Sequence, residues 1–597
     1  MRLRLQIFYL IAAITAGWTG IANATADSPA ESAQVDQLFT EWDKPASPGC
    51  ALAVMRDGHI IYERGYGMAD LDHDVKITPT TVFHVASMSK QFTAASVLML
   101  AQEGKFSLDD QARKYVPELP DFGVPITLRH LLHHSSGLRD QWELLAIAGW
   151  RYSLDLITDA DVLAVLSRQK TLNFAPGSKF LYSNTGFTLL AQAVKHVSGQ
   201  SFRAFTTSRL FLPLGMSHSH FRDNHAEIVK DMAYGYAYRN GNFNLSITNF
   251  DTVGATSLLT TVEDLALWDE NFYTARVGGQ ALIGQLQERG YLNDGTQLSY
   301  AAGLEIGKYR GLNIVSHAGA DAGYRADLIR FPDQHFSVAL LCNLDSINPS
   351  ALARRIADIY LASSLGTTTP PTAVQTASPQ PGSEQLKKWT GLYVDPDDND
   401  RVMRVRLMGG NLQSGLNADG RVLDLEATDD GRFRYIKEPL TELVFQAGEN
   451  GTPAALTTYT NGKMQHRYSR APSYEPTAAQ LQEFAGVYRS DEVDMPREVI
   501  LKDGGLLIHS LKSNDIPLLP VAADLFNGRG NRIRFTRDAQ ARGSIPIECA
   551  TFALSARNET TPQADPGWLR RNRVSAARLE IIDHAPCQNC KNLLMVG

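Results

Sequence analysis

The sequence predicts an α+β fold for its first 365 residues, followed by two small antiparallel β-domains. Strand-like apolar runs lie near both ends of the first region, with helical patterns between them. That arrangement favours one antiparallel sheet built from both ends of a domain, with a helical block inserted. A Pro-, Thr-, Ser- and Gly-rich stretch then breaks the apolar pattern, and β-rich sequence follows it. We therefore assign residues 25–365 to a first domain and residues 366–385 to a linker.

The strands of the first domain are the clearest elements. Residues 50–56 and 59–64 are strand-like runs joined by Asp57-Gly58, a hairpin signal. Three further strand patterns occupy residues 312–342, and Pro332-Asp333-Gln334 forms a turn between the last two.

Helical patterns flank these strands. Residues 92–101 are apolar on nearly every face, which predicts a buried helix, and Gly104 is a natural C-terminal stop. A second helix is expected from Leu352 to Leu361, just after the last strand.

An internal repeat marks the β-rich region. The pattern Leu-x-x-aromatic-x-Gly-x-Tyr begins at Leu386 and again at Leu481, and alternating strands follow each start. We expect two antiparallel β-barrel-like domains at residues 386–470 and 480–540. Residues 541–597 combine weak alternation with clustered arginines. We expect an atypical, poorly ordered tail there, which would leave the second β-domain incomplete.

Composition excludes several classes of protein. The net charge of −7, without a Lys- or Arg-rich run, argues against nucleic-acid binding. Five cysteines in 597 residues form no disulfide framework, and Cys50 and Cys342 lie in apolar runs typical of small core residues. His584, Cys587 and Cys590 supply three ligands where a structural zinc site needs four. We expect neither a metal nor a cofactor.

The N-terminus has the pattern of a signal peptide. A basic start, Met1-Arg2-Leu3-Arg4, precedes a mostly apolar run to Ala16, and Ala22-Asn23-Ala24 fits a cleavage site. We expect residues 1–24 to be removed and the protein to be exported, to the periplasm or the medium. No later segment reaches about 18 uninterrupted apolar residues, so stable membrane insertion is not expected.

The first chemical signal is Ser87-Met88-Ser89-Lys90. Serine and lysine three positions apart lie about one helical turn apart on one face, so an amine can reach a hydroxyl. A serine hydroxyl needs such a neighbouring base to become a nucleophile. The spacing alone is common: Ser167 and Lys170 repeat it, and a capping serine followed by a solvated lysine would look the same.

The second signal is Tyr182-Ser183-Asn184, on the loop entering a predicted helix. A lysine ammonium close to Tyr182 would lower the pKa of its phenol and make it a general base. Asn184 could accept a hydrogen bond from lysine and donate one to a substrate amide. The alternative is a helix-capping Asn beside a half-buried Tyr.

The third signal is His317-Ala318-Gly319, the one His-x-Gly among fifteen histidines, at the end of a predicted strand. Glycine on an edge strand allows another backbone, here a substrate acyl group, to approach closely. The N–H groups of Ala320 and Ser87 could then form an oxyanion hole. A surface histidine beside a turn glycine is the alternative.

The order of these three motifs strongly resembles the serine β-lactamase-related family, which includes class C β-lactamases, D-alanyl-D-alanine carboxypeptidases, D-aminopeptidases and esterases. The segments at 127–138 and 253–264 fit the same family, and the resemblance spans about residues 35–360. It implies a β-lactamase/transpeptidase-like fold for the first domain.

The resemblance also implies roles for the motif residues. Ser87 would be the acylated nucleophile, and Lys90 and Tyr182 would share the work of the base. Asn184 would orient the substrate, together with His317, Gly319 and Ala320 at the end of one predicted strand. His317 stands where β-lactamases usually carry lysine, and a histidine is only partly charged at neutral pH.

Weak or absent β-lactamase activity is therefore expected. His-x-Gly followed by two β-domains resembles the D-aminopeptidase branch, whose third domain projects a loop into the active site. The leading hypothesis is an exported serine hydrolase that cleaves a peptide or amide bond through an acyl-enzyme, as a D-aminopeptidase or D-Ala carboxypeptidase-like enzyme. The alternatives are a carboxylesterase of the same family and a penicillin-recognising sensor without turnover. The expected partner is a small peptide, amide or ester.

Overall fold

A six-stranded antiparallel sheet forms the centre of the first domain in the computed structural model, which describes residues 29–366, 381–396 and, with short gaps, 402–537, plus the backbone of strands at 551–555 and 577–582. The strand from residue 50 pairs with the strand that ends at residue 342, so both ends of the domain share one sheet, as predicted. The strands lie in the order Glu305–Tyr309, Leu312–Asp321, Tyr324–Phe331, Phe336–Cys342, Cys50–Arg56 and His59–Tyr66.

The predicted hairpin at Asp57-Gly58 is confirmed. Both residues have positive φ, +52° and +78°, as a two-residue hairpin loop requires when its twist matches that of its strands. The loop therefore joins the strands Cys50–Arg56 and His59–Tyr66 without an intervening residue.

Cys50 and Cys342 form a disulfide. They lie directly opposite each other on adjacent strands, with 4.0 Å between their Cα atoms, and both are buried. The prediction of small core residues is right about burial and wrong about pairing. The two residues are 292 positions apart, so only the strand register brings them together.

Helices cover both faces of the sheet. Helices at the two ends of the domain, Pro29–Leu38 and Pro349–Tyr360, pack on one face. The other helices of the inserted block form the larger core on the opposite face. They are Ser89–Gln102, Leu128–Leu132, Gln141–Ile147, Asp159–Leu166, Asn184–Ser198, Phe202–Thr206, Leu212–Leu214, Val262–Thr274 and Gly279–Gln287.

Short elements connect this block. They are the 3-10 turns Ala86–Met88, Ala112–Lys114 and Pro332–Gln334, the π turn Thr207–Phe211, and the strands Met68–Asp70, Val75–Lys76, Phe83–His84, Ile157–Thr158, His220–Phe221, Tyr236–Arg239, Asn242–Leu245, Phe250–Asp251 and Leu258–Thr260.

The helix Ser89–Gln102, here called the nucleophile helix, is buried on all sides. Every residue from Ser89 to Leu100 is buried, which agrees with its continuous apolar pattern. Gly104 follows with φ +67°, the left-handed conformation that ends a helix.

The first β-domain is a closed eight-stranded barrel, as predicted. It follows the short helix Ser383–Lys387, and the first strand closes the barrel by pairing with the last. Its strands are Gly391–Val394, Val402–Met408, Asn411–Gly415, Leu423–Ala427, Phe433–Tyr435, Glu438–Ala447, Pro453–Thr460 and Lys463–Arg470.

The second β-domain begins in the same way, with the helix Ala478–Gln482, and continues as an eight-stranded sheet. The two repeats share one detail: the hydroxyls of Tyr393 and Tyr488 each donate a 2.8 Å hydrogen bond to the carbonyl of the repeat's aromatic residue, Trp389 and Phe484 respectively. The strands of the sheet are Gly486–Tyr488, Arg497–Lys502, Gly505–His509, Ile516–Ala522, Leu525–Gly528, Asn531–Arg537, Thr551–Ser555 and Ala577–Ile582.

The last two of these strands fall in the segment 541–597, for which a poorly ordered tail was expected. Ala577–Ile582 pairs with Asn531–Arg537, and Thr551–Ser555 pairs with Ala577–Ile582. These two stretches therefore extend the sheet, because their alternation is sufficient for pairing once a neighbouring strand is present.

Neither a spanning helix nor a metal cluster occurs in the described part of the chain. No helix there is long and apolar enough to cross a membrane. No group of three or more His, Cys, Asp or Glu side chains in the same residues could hold a metal ion. His584, Cys587 and Cys590 lie outside the described residues, as does the proposed signal peptide.

Burial of His133 should make the fold sensitive to acid. Desolvation, together with the Arg129 charge, lowers the pKa of His133 to about 4, from 6.5. Between pH 6.5 and about 4, His133 binds a proton in the unfolded chain but stays unprotonated in the folded chain. The stability present above pH 6.5 should therefore decline by up to about 3 kcal/mol as the pH falls to about 4.

Urea unfolding at a series of pH values checks this. His133→Gln should show a flatter dependence between pH 6.5 and 4 than the unmodified protein, whereas His59→Gln, at an exposed position, should retain the original slope. Equal slopes in the His133→Gln variant and the unmodified protein would contradict the prediction.

Candidate active site

Ser87 lies in the 3-10 turn Ala86–Met88, immediately before the nucleophile helix. Ala86 has φ +49°, an uncommon conformation for a residue with a side chain, so the chain turns sharply before the serine. Ser87 is partly exposed, whereas both of its neighbours are buried. The turn thus leaves the Ser87 hydroxyl partly exposed, although the residues on both sides of it are buried.

Lys90 is completely buried and holds its Nζ between three oxygen acceptors. It donates hydrogen bonds to Ser87 Oγ at 3.0 Å, to Asn184 Oδ1 at 2.8 Å and to the carbonyl of Ala255 at 2.7 Å. Its Nζ also lies 4.9 Å from the centre of the Tyr182 ring. The predicted contact between Ser87 and Lys90 is thereby present, and Ala255 is a partner that no sequence pattern indicated.

Tyr182 lies beside Ser87, but its pKa moves in the direction opposite to the prediction. Burial of the hydroxyl raises the pKa of Tyr182 well above 10, and the neighbouring Ser87 side chain, which lowers this pKa, opposes the rise only in part. The expectation of a lowered pKa was wrong because it counted the lysine charge and left out desolvation. Tyr182 is therefore a neutral phenol in this site.

Asn184 begins the helix Asn184–Ser198 and is fixed from two sides. Its Oδ1 accepts the bond from Lys90, while its backbone N and Nδ2 donate to Asp140 Oδ2 at 2.6 and 2.8 Å. One N–H of the amide remains for a substrate, because Nδ2 carries two.

Asp140 is a functional residue that sequence reasoning missed. It is partly buried, and desolvation raises its pKa, although hydrogen bonds from Asn184 and Trp142 and the charge of Lys90 oppose the rise. Its other oxygen caps the helix Gln141–Ile147 by accepting from Trp142 N at 2.9 Å. An aspartate before a helix is a capping signal, but its contact with Asn184 depends on tertiary packing.

His134 supports the Tyr182 loop. Its Nδ1 accepts from Ser183 N at 3.1 Å, its carbonyl accepts from Leu181 N at 2.9 Å, and its ring lies 4.1 Å from that of Tyr182, centre to centre. His134 belongs to the segment 127–138, whose family resemblance indicated importance without a role.

His317 is buried against Tyr300. Its Nε2 is 3.0 Å from the Tyr300 hydroxyl, and its Nδ1 is 2.7 Å from the carbonyl of Ala318. A carbonyl only accepts, so Nδ1 carries a hydrogen, and Nε2 can accept from Tyr300 with the imidazole neutral. The surface histidine considered as an alternative is thus excluded, and Tyr300 is a second residue that sequence reasoning missed.

Gly319 lies on an edge of the sheet, as predicted. Its lack of a side chain, however, allows a contact within the protein in addition to the predicted approach of a substrate. The strand Glu305–Tyr309 pairs only with residues 312–316, so the part of the neighbouring strand that carries His317, Gly319 and Ala320 extends beyond it. A Cβ on Gly319 would lie 2.1 Å from the carbonyl oxygen of Val85. Glycine is therefore needed here for packing against the turn before Ser87, in addition to any approach of substrate.

Gly319→Ala should lower both stability and activity. The added methyl group overlaps the Val85 carbonyl, so either the strand or the Ser87 turn must shift, which typically costs 1–3 kcal/mol or more. Thermal unfolding and the rate of Ser87 acylation measure the two effects. Gly284→Ala, at an exposed position where nothing lies within 4 Å of an added Cβ, is the control for the added methyl group and should lower neither stability nor activity.

Asp321 connects the segments around the site. It accepts from His84 Nε2 at 2.9 Å and from Tyr152 Oη at 2.5 Å, and it also bonds to Thr256 Oγ1. Burial opposes ionisation of Asp321, but the His84 hydrogen bond and charge and the other bonds hold its pKa below its usual value. A carboxylate thus ties the end of the His317 strand to the strand before Ser87 and to the loop that carries Ala255.

Two D-aminopeptidases are similar to this chain over most of its length. A D-aminopeptidase of Brucella canis is 27% identical over 496 residues, covering 80% of this chain and 87% of that protein. A D-aminopeptidase of Gluconobacter oxydans is 27% identical over 472 residues, covering 77% and 83%.

A solved structure shares the fold. The octameric penicillin-binding protein homologue from Pyrococcus abyssi superposes with a TM-score of 0.52 at 22% identity, covering 81% of this chain and 98% of that one. The family model described as Beta-lactamase matches residues 35–363, which is more than half of the chain and includes Ser87, Lys90, Tyr182 and His317. The chain belongs to the Beta-lactamase family.

Proposed function

We propose that this serine hydrolase releases N-terminal D-amino acids from small peptides and amides through an acyl-enzyme on Ser87. The observation that carries the proposal is Lys90 Nζ, which bridges Ser87 Oγ at 3.0 Å and Asn184 Oδ1 at 2.8 Å in a buried setting. The choice of substrate is supported by the D-aminopeptidases at 27% identity, whose similarity covers four-fifths of this chain.

The hydrogen-bonded groups divide the work of acylation. Once Lys90 has lost the proton of its ammonium form, Ser87 Oγ attacks the substrate carbonyl and forms the C–O bond, and the serine proton passes to the neutral Lys90 amine. Tyr182 is the weaker candidate for this step, because burial raises its pKa and the phenol keeps its proton. The N–H groups of Ser87 and Ala320 would receive the oxyanion.

Breakdown of the tetrahedral intermediate requires a proton for the departing amine. The phenol of Tyr182 can donate it as the C–N bond breaks, and it regains a proton from the Lys90 ammonium. The pair then returns to its starting protonation. In hydrolysis, water attacks the ester carbon while losing a proton to Lys90. The bond from that carbon to Ser87 Oγ then breaks, and Lys90 returns the proton to the serine oxygen.

The presence of His317 favours substrates that have no carboxylate next to this residue. The His317 imidazole, which can satisfy its contacts with Tyr300 and the Ala318 carbonyl in the neutral form, supplies no fixed cation, unlike the lysine usual in β-lactamases. Substrates whose affinity depends on a carboxylate there, such as β-lactams, should be poor.

A substrate panel tests this function. D-alanyl p-nitroanilide should be hydrolysed at least tenfold faster than its L-enantiomer, and a fluorescent penicillin should be turned over slowly or not at all. Hydrolysis of p-nitrophenyl acetate alone would favour the carboxylesterase. A stable penicillin adduct on Ser87 without hydrolysis of any amide would favour the sensor.

We also propose that the protein acts outside the cytoplasm. The signal-peptide pattern at 1–24 supports this, as does the Cys50–Cys342 disulfide, because disulfides persist in oxidising compartments. Cell fractionation with N-terminal sequencing tests it: a mature protein starting at Thr25 outside the cytoplasm is expected, and an intact Met1 in the cytoplasm would overturn it.

A further inference from the structure

The second β-domain is joined to the first domain through a continuous buried core. Its residues Tyr488, Val493 and Val499 belong to the same apolar cluster as Leu144 and Leu145 of the helix Gln141–Ile147. Two charged residues of the second β-domain, Glu492 and Arg497, are also buried at this junction. Buried charges are costly unless they are paired, and both residues have partners in the first domain.

Glu492 holds the segment just before this helix. Its Oε1 lies 3.3 Å from Arg139 Nη1 and accepts from the backbone N of Lys170 at 2.7 Å. Its carbonyl accepts from Gln169 Nε2 at 3.2 Å. Arg139 in turn donates to Gln169 Oε1 at 2.9 Å and to Thr171 Oγ1 at 2.6 Å. Glu492 therefore fixes Arg139, the residue before Asp140.

Arg497 holds the other end of the same helix. Its guanidinium donates to the carbonyl oxygens of Ala146 at 2.8 Å and of Ile147 at 2.8 Å. Both carbonyls belong to the last helical turn, which attracts positive charge, and that of Ala146 also accepts from Gly149 N at 3.0 Å. The second β-domain thus contacts the segment 139–147 at both of its ends.

A short series of hydrogen bonds connects the segment 139–147 to the nucleophile. The carbonyl of Arg139 accepts from Thr185 Oγ1 at 2.7 Å, and Asp140 Oδ2 accepts from Asn184 N and Nδ2 at 2.6 and 2.8 Å. Asn184 then binds Lys90, and Lys90 binds Ser87. A displacement of the segment would reach the serine through these few contacts.

We propose that Glu492 and Arg497 are positioning residues for the acylation of Ser87. Neither residue acts on the substrate. They hold the segment 139–147 so that Asp140 keeps Asn184 and Lys90 correctly placed for their hydrogen bonds, including the one to Ser87. Small misplacements of reacting groups can lower rates up to a hundredfold. The inference rests on the proposed function in that it assigns Ser87 as the nucleophile, whereas it is independent of which substrate is used.

The test measures acylation of Ser87 in the full-length protein with a fluorophosphonate probe, followed by intact-protein mass spectrometry. Glu492→Gln and Arg497→Met should each lower the labelling rate constant about tenfold. In hydrolysis of D-alanyl p-nitroanilide, kcat should fall similarly while KM changes less than twofold. Arg497→Lys, which retains a donor for the helix carbonyls, should recover part of the rate.

Arg404→Met is a matched control. Arg404 also makes a contact between domains, a 3.2 Å bond to the carbonyl of Pro520, but that contact joins the two β-domains to each other. Its loss should leave the rate constant unchanged.

Partial unfolding is separated from positioning by the labelling amplitude, which reports the folded fraction, whereas the rate constant reports the folded site. Wild-type rate constants in Glu492→Gln and Arg497→Met, or losses equal to that of Arg404→Met, would overturn the inference. A third result is that the protein cleaves no D-aminoacyl amide while these two variants are still labelled more slowly. That result would support the positioning role and overturn only the proposed substrate. Absence of Ser87 labelling in the unmodified protein would overturn both.

Discussion

Ser87→Ala should abolish covalent labelling and reduce amide hydrolysis to background, a loss of at least about 10⁴-fold in kcat. Alanine has no oxygen to replace the Ser87 hydroxyl, which lies 3.0 Å from Lys90 Nζ and beside Tyr182. The fold should survive, since Ser87 is partly exposed and alanine is tolerated in a turn. Labelling with the fluorophosphonate probe and thermal unfolding measure the two outcomes.

Ser167→Ala is the matched control. Ser167 repeats the Ser-x-x-Lys spacing, but it is exposed and its hydroxyl donates to the carbonyl of Ala164 at the end of a helix. Its replacement should leave labelling and hydrolysis unchanged. A covalent adduct that persists in Ser87→Ala, at Ser167 or elsewhere, would refute the assignment of the nucleophile.

Lys90→Met should lower the rate of acylation by about 10²- to 10⁴-fold while leaving substrate binding nearly unchanged. Methionine fills most of the lysine volume but provides neither a proton acceptor for Ser87 nor a charge beside Tyr182. The pH profile is the sharper measurement: the rise of kcat/KM that depends on Lys90 losing its proton should disappear in the variant.

The same substitution should also affect stability. It removes a buried cation, leaves Asn184 Oδ1 and the Ala255 carbonyl without their lysine donor, and removes the charge that opposes the raised pKa of Asp140. Lys105→Met, at an exposed position after the nucleophile helix, is the control and should change neither rate nor stability. Acylation in Lys90→Met at the unmodified rate would show that Ser87 is activated by another group.

Patterns local in the sequence predicted the parts of the fold that local chemistry dictates. The Asp57-Gly58 loop, the all-apolar nucleophile helix and its end at Gly104 follow from backbone conformation and burial of short segments. The two β-domains also follow, because each repeat restarts with the same helix, aromatic residue and tyrosine.

Contacts between segments that are distant in the sequence were harder to predict from the sequence. Cys50 and Cys342 became a disulfide through strand register, and Tyr300 reached His317 through the turn before the strand Glu305–Tyr309. The pKa of Tyr182 also depended on burial, which one sequence does not report: a lysine nearby predicts a lower value, and desolvation reverses it.

By itself the sequence determined the chemical groups: a serine with a lysine one turn away, a tyrosine and an asparagine before a helix, and a histidine on a strand. The tertiary structure alone decided how they are held. Asp140 reaches Asn184, and Glu492 and Arg497 of the second β-domain hold the segment that carries Asp140. The physical reason is that nucleophile and base are neighbours along one turn, whereas the hydrogen bonds that orient them join segments brought together only by packing of the core.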